Sequence, residues 1–267
     1  MNNDRYTHGH AEPVPRSHRW RTVDNSAAYL KAHLVGNQAI LDVGCGPGTL
    51  SVDLARHNVG GRVLAVDRSV EVIEQAAAAN PDEPGLDIEF AVADVYSLAY
   101  PDDHFDIVHA HQVLQHLTDP VSALVEMARV CRPGGIVAVR DVDYASMFWA
   151  PQSEALSDWL TAYRAVAAAN GAEPDAARHL RRWAREAAVG RVTPSASTWC
   201  FADAESCVWW SGLWADRVEQ STLTAQLGEH GVDVDDRRSM ADGWRVWGAD
   251  ADAWFAMVHG ELIIEVD

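Results

Sequence analysis

Three glycines occupy alternate positions in Leu41-Asp42-Val43-Gly44-Cys45-Gly46-Pro47-Gly48-Thr49-Leu50, after a short apolar run and before a stretch with helical spacing. Glycines so placed remove the side chains that would hold a ligand away from the backbone. The helix behind them offers unpaired N–H groups at its start. A strand, a glycine-rich turn and a helix in this order open a βαβ unit, which commits the chain to a parallel sheet covered by helices. The dinucleotide fingerprint needs its third glycine at position 49, where Thr49 stands.

Later segments keep the same order. Arg62-Val-Leu-Ala-Val66 ends in Asp67, where a second βαβ strand delivers a carboxylate to ribose hydroxyls. Phe90-Ala-Val-Ala-Asp94-Val95 closes a third strand on another acid, and Phe105-Asp-Ile-Val-His-Ala110 reads as a fourth, leading into His111-Gln-Val-Leu-Gln-His-Leu117. These four elements resemble class I S-adenosylmethionine (SAM)-dependent methyltransferases of the ubiquinone/menaquinone-biosynthesis type, closely over residues 37–141 and in layout beyond.

The resemblance implies a Rossmann-like α/β fold, with a seven-stranded, mostly parallel sheet, helices on both faces and an antiparallel last strand. An N-terminal lid and a helical substrate cover complete it. It implies SAM as cofactor, S-adenosylhomocysteine (SAH) as product, and transfer of a methyl group to O, N or C of a small, aromatic or hydrophobic acceptor. Cofactor contacts would come from Gly44, Cys45, Gly46, Gly48, Thr49, Asp67, Arg68, Asp94, Val95 and His111. Tyr6, His18 and Arg19 of the leader would join them. His111 is the candidate general base, since an imidazole titrates near neutrality. Asp42, inside the first strand, is expected to organise the loop through backbone hydrogen bonds. Because the glycine motif reports binding and not chemistry, an NAD(P)-dependent oxidoreductase and a SAM-binding protein with another activity stay open.

Charge narrows the partners. A formal net charge of −18 repels a polyanion, and no Asn/Asp-Pro-Pro-aromatic segment follows the fourth strand, so nucleic acid is not the expected substrate. No apolar run approaches the ~20 residues of a membrane span and no signal-peptide pattern opens the chain, so a cytoplasmic protein without a membrane partner is expected. The four cysteines form no C-x-x-C pair. His104, His109, His111 and His116 gather near the fourth strand's exit, but no nearby acid completes a ligand set, so no metal is assigned.

Three regions are expected within one compact domain: a leader and helix over 1–35, a SAM-binding core over 36–145, and a helical cover with the last two strands over 146–267. Helices are expected at about 24–33, 70–80, 152–169, 174–188, 203–217, 222–230 and 234–248. One more follows Gly48, and another starts at Pro120. Strands five to seven are expected over 135–141, 191–201 and 254–266. Eleven tryptophans are the compositional outlier. Trp210 and Trp214 share a helix face, which either packs on the sheet or, with Phe148 and Trp149, lines an acceptor pocket together with Gln112, His116, His8 and His10. The leader 1–21 is expected to fold as a lid over the bound cofactor. Sequence gives no handle on oligomeric state.

Overall fold

The computed structural model describes residues 20–80 and 83–267. Seven strands form one sheet in the order β3-β2-β1-β4-β5-β7-β6. They are β1 (Ala39–Val43), β2 (Arg62–Asp67), β3 (Asp87–Val92), β4 (Phe105–His111), β5 (Cys131–Ala150), β6 (Gly190–Phe201) and β7 (Trp254–Val266). β1 to β5 pair in parallel, and β7 runs antiparallel to both β5 and β6. The central strands read as near-continuous apolar runs because helices cover both their faces. Strand order reverses between β1 and β4, and such a switch point leaves a crevice at the carboxyl ends.

Among the described residues nine α-helices flank the sheet, and local chemistry sets their starts. α1 (Val23–Ser26) is one turn closed by a Thr22/Asn25 capping box. α2 (Thr49–His57) begins at Gly48, whose φ of +77° suits glycine. Ser69 caps α3 (Val70–Ala79), and Asp119 caps α4 (Pro120–Val130) ahead of a proline in the first turn. Ser153 and Asp203 cap α5 (Glu154–Ala169) and α7 (Ala204–Gln220). Capping boxes open α8 (Thr222–Glu229) and α9 (Val234–Gly248). α6 (Leu180–Ala187) follows a short 3-10 turn, Ala176–Arg178.

Two expected helices are broken. The segment expected as helix 24–33 turns at Ala27 (φ −139°, ψ 25°) and continues as a 3-10 helix over Ala28–His33. The segment expected over 174–188 divides between the 3-10 turn and α6. β5 also outruns its expected end at Asp141, because β7 pairs with it again from Phe148 to Ala150 beyond an irregularity.

Three large apolar clusters hold these layers. α4 and α6 pack on one face of the sheet, α1 and α2 on the other. The third joins α5, α7, α8 and α9 to the far ends of β5, β6 and β7, and it holds most of the aromatic rings. Trp159 meets Trp214 and Trp244 edge to face, with centroids 4.4 and 4.8 Å apart. Phe201 stacks on Trp210 at 4.5 Å. No helix among the described residues is long and apolar enough to cross a membrane.

Candidate active site

The turn after β1 holds Gly44, Gly46 and Gly48 at φ +68°, +55° and +77°. A side chain at Gly44 would place its Cβ 2.5 Å from Val113 Cγ2, and one at Gly48 would run into the Phe90 ring. The Cys45 N–H donates to Val66 O at 3.0 Å, tying the turn to β2. Asp67, at the end of β2, accepts Gly46 N–H on Oδ2 (3.2 Å) and Ser69 N–H on Oδ1 (3.1 Å). Those bonds leave further lone pairs on each oxygen. Asp94 lies exposed beyond β3, accepting Tyr96 N–H at 3.1 Å, with Val95 buried beside it. Arg68 is exposed next to Asp67.

A shallow cleft opens along this turn, lined by Arg21, Asp42, Gly44, Cys45, Pro47, Thr49, Leu50 and His111. Asp42 is buried, and its partners are side chains: His109 Nδ1 at 2.7 Å and the Ser51 hydroxyl, which donates at 2.5 Å. The expectation of backbone partners is corrected, because β1 places this carboxylate opposite His109 in the register with β4. Burial pushes the Cys45 thiol far up, so it stays protonated.

Beyond the cleft a row of polar side chains crosses the sheet. His111, Arg140 and Glu261 are register partners on β4, β5 and β7, with Ser195 opposite Glu261 on β6. Arg140 is buried; its Nε donates to Glu261 Oε1 and to Ser197 Oγ, both at 3.2 Å, and its Nη2 to Ser197 at 3.1 Å. Burial lowers its pKa to about 10, which still leaves it charged at neutral pH. Its guanidinium lies 5.1 Å from the Trp199 ring centroid. Ser195 and Ser197 both donate to Glu261.

His111 is 4% exposed, and neither ring nitrogen has a hydrogen-bond partner. Burial, and then the charges of Arg21 and Arg140, hold its pKa well below the ordinary value, so it is neutral at pH 7. Gln112 follows with φ +55°, a conformation costly for a non-glycine residue. Its N–H donates to Arg140 O at 2.7 Å, its Oε1 accepts from Arg21 at 2.5 Å, and its Nε2 lies 2.9 Å from His259 Nε2. Three contacts therefore hold the strained residue at the exit of β4. Asp141, on the next position of β5, is buried, accepts Gln115 N–H at 3.1 Å, and is pushed up to about 7 by burial.

The fold brings Gly44, Cys45, Thr49 and His111 to one cleft and sets Asp67 at its edge through Gly46. Tyr6, His8, His10, His18 and Arg19 lie outside the described residues. His116 bonds Gln115 Nε2 at 3.0 Å on the 3-10 turn Leu114–His116. Trp210 and Trp214 do not reach the cleft: 3% and 1% exposed, they sit inside the aromatic cluster of the cover, where Trp210 packs on Phe201 and Phe255 of the sheet, so of the two expectations packing holds and the pocket wall is corrected. Strand alternation separates the other pair. Trp149 is buried, stacked on Phe255, whereas Phe148 is exposed against Trp254. Sequence reasoning missed Arg21, Arg140, His259 and Glu261. The charged pair Arg140-Asp141 inside an apolar strand was the available signal for one of them.

Strand order, glycine turn and strand-end carboxylates together define a class I methyltransferase. A family model described as "Methyltransferase domain" matches residues 34–201, and the chain belongs to that family. It is 36% identical to an uncharacterized methyltransferase of Schizosaccharomyces pombe, over 97% of this chain and 95% of that one. It is 38% identical to the ubiquinone/menaquinone biosynthesis C-methyltransferase of Bdellovibrio bacteriovorus, over 46% of this chain and 50% of that one. Among solved structures, the YcgJ protein of Bacillus subtilis shares the fold, with a TM-score of 0.57 at 15% identity, covering 90% of this chain and 97% of that one.

Proposed function

We propose that SAM is the methyl donor and that the acceptor is a small molecule bound beside His111. One juxtaposition carries this reading: the left-handed glycine turn, with Asp67 bonded to it, borders the same cleft as a neutral histidine with both ring nitrogens unpaired. Class I methyltransferases use SAM, and the residues fit it. The turn admits no side chain at Gly44 or Gly48, and no side chain caps the start of α2. Gly44, Gly46, Gly48 and Thr49 would hold the methionyl part, Asp67 the ribose hydroxyls, and Asp94 and Val95 the adenine. Arg21 faces the cleft as the cation for a carboxylate.

SAM supplies a methyl carbon on a sulfonium, which departs as a neutral thioether when a nucleophile attacks. The protein's part is to orient the nucleophile and exclude water, for which in-line placement is the main lever. His111 offers two unpaired ring nitrogens to a polar group of the acceptor, though the burial and cationic charge that keep it neutral also weaken it as a base. The net charge of −18 supports a small-molecule acceptor over a nucleic acid.

Asp67→Ala tests the cofactor assignment. Losing hydrogen bonds to a charged acceptor costs about 1.5–3 kcal/mol, so SAH affinity measured by calorimetry should fall roughly tenfold to a hundredfold with an unchanged circular dichroism spectrum. Unchanged affinity would remove ribose binding from the account. Transfer of labelled methyl from SAM to added acceptors distinguishes a transferase from a protein that only binds SAM.

A further inference from the structure

Gln112, strained in its backbone, reaches with its side chain to two distant parts of the chain. Its φ of +55° is costly for a residue with a side chain and persists only where neighbours over-determine it. The bond from its N–H to Arg140 O at 2.7 Å fixes the backbone, and its amide then meets Arg21, 91 positions away, and His259, 147 positions away.

The orientation of that amide follows from its partners. A guanidinium can only donate, so the Gln112 atom 2.5 Å from Arg21 Nη2 is the amide oxygen. Gln112 Nε2 therefore faces His259 Nε2 at 2.9 Å and donates to it, which makes that ring nitrogen an acceptor and the imidazole neutral. His259 is fully buried, and burial, then the charges of Arg140 and Arg21, hold its pKa well below the ordinary value, in keeping with this role.

The chain on either side of Arg21 is pinned as well. Val23 N–H donates to Asp53 Oδ2 on α2 at 2.7 Å, and Trp20 O accepts from Asn25 Nδ2 at 2.9 Å. The Trp20 ring packs against Trp199 on β6, with centroids 5.1 Å apart, and Trp199 Nε1 donates to Asn25 O at 2.6 Å. Arg21 itself lies 5.9 Å from the Trp199 ring centroid and lines the cleft together with the glycine turn and Thr49. The group on its Nη2 is a neutral amide, which holds the guanidinium without cancelling its charge. A carboxylate in that place would cancel it, as Glu261 does for Arg140.

We propose that Gln112 and His259 are positioning residues, which set the Arg21 guanidinium where it meets the carboxylate of the cofactor's methionyl group. The proposal rests on the SAM reading above and deepens it, because it draws β7, from the antiparallel edge, into a site otherwise built on β1, β2 and β4. Preorganisation is the source of the gain. An arginine already held in its bound conformation loses less side-chain freedom when the ligand arrives. The bracket therefore gives the site a specificity, for ligands that carry the carboxylate over those that lack it.

Two ligands test this by calorimetric titration: SAH, and decarboxylated SAH, which keeps the adenosine, the sulfur and the amine. Arg21→Met should lower SAH affinity roughly tenfold to a hundredfold, the worth of hydrogen bonds to a charged group, and leave the decarboxylated ligand near wild type. Gln112→Met keeps the side chain's length and removes both amide bonds, so SAH affinity should fall about two- to tenfold, the cost of ordering one long side chain on binding. Gln112→Asn suits the positive φ but is too short to span Arg21 and His259, and should show the same selective loss. His259→Leu should follow Gln112→Met, and His259→Gln, which keeps an acceptor, should recover part of the loss. In the Arg21→Met background, Gln112→Met should have no further effect, since it acts through that arginine. Unchanged SAH affinity in the Gln112 variants, an equal loss for both ligands, or an additive loss in the Arg21→Met background would each overturn the proposal. Failure of wild type to bind SAH would instead strike the cofactor reading, and the proposal with it.

Discussion

Glu261→Ala should destabilise the fold by about 3–5 kcal/mol, the cost of stranding a buried charge whose partner has been removed. Glu261 is 4% exposed, and it accepts from Arg140, Ser195 and Ser197. Its loss leaves a guanidinium that is 1% exposed with only Ser197 as a hydrogen-bond partner. The substitution also strikes where β5, β7 and β6 pair side by side, so the antiparallel edge should weaken as a unit. Glu261→Gln keeps an acceptor oxygen and should cost less. Urea denaturation measures both. A Glu261→Ala loss below about 1 kcal/mol would show that the row is solvated and not the buried pair described above.

Trp159→Ala should have a comparable effect for a different reason. Removing a large aromatic from a filled core costs about 3–5 kcal/mol, through lost transfer energy and the cavity left behind. Trp159 is 1% exposed and meets Trp214, Trp244 and Tyr163. Its loss would leave rings on α7 and α9 facing a hole. The damage should stay on the cover side, since the cofactor turn packs in separate clusters. Calorimetric scanning should show a lowered Tm, while SAH affinity measured well below the transition stays near wild type. A drop in SAH affinity as large as that from Asp67→Ala would contradict the separation of cover and cofactor cleft.

What could be read from sequence follows physical range. Local signals gave the glycine turn, the start of α4 at Pro120, and the ends of α9 and β7, because each depends on residues within a few positions. Asp67 was legible because a βαβ unit fixes where its second strand ends. The polar row was not: Arg140 and Glu261 are 121 positions apart, and no local pattern reports the register of an antiparallel edge. The aromatic cover stayed open between two readings for another reason. Spacing placed Trp210 and Trp214 on one helix face, but a buried face and a pocket wall have the same period, and only the packing of α5 and α9 shows which one formed. The helix expected through Ala27 broke because 3-10 turns leave little trace in apolar spacing.

The central claim is that the glycine turn cradles SAM, and calorimetric titration of SAH into wild type and Gly46→Val tests it most directly. Gly46 sits at φ +55° and donates to Asp67, so a β-branched residue there is strained by about 1–3 kcal/mol and crowds the cradle. The account predicts saturable SAH binding by wild type and none by a folded Gly46→Val protein. Equal SAH affinity in both, with the variant shown to be folded, would contradict it.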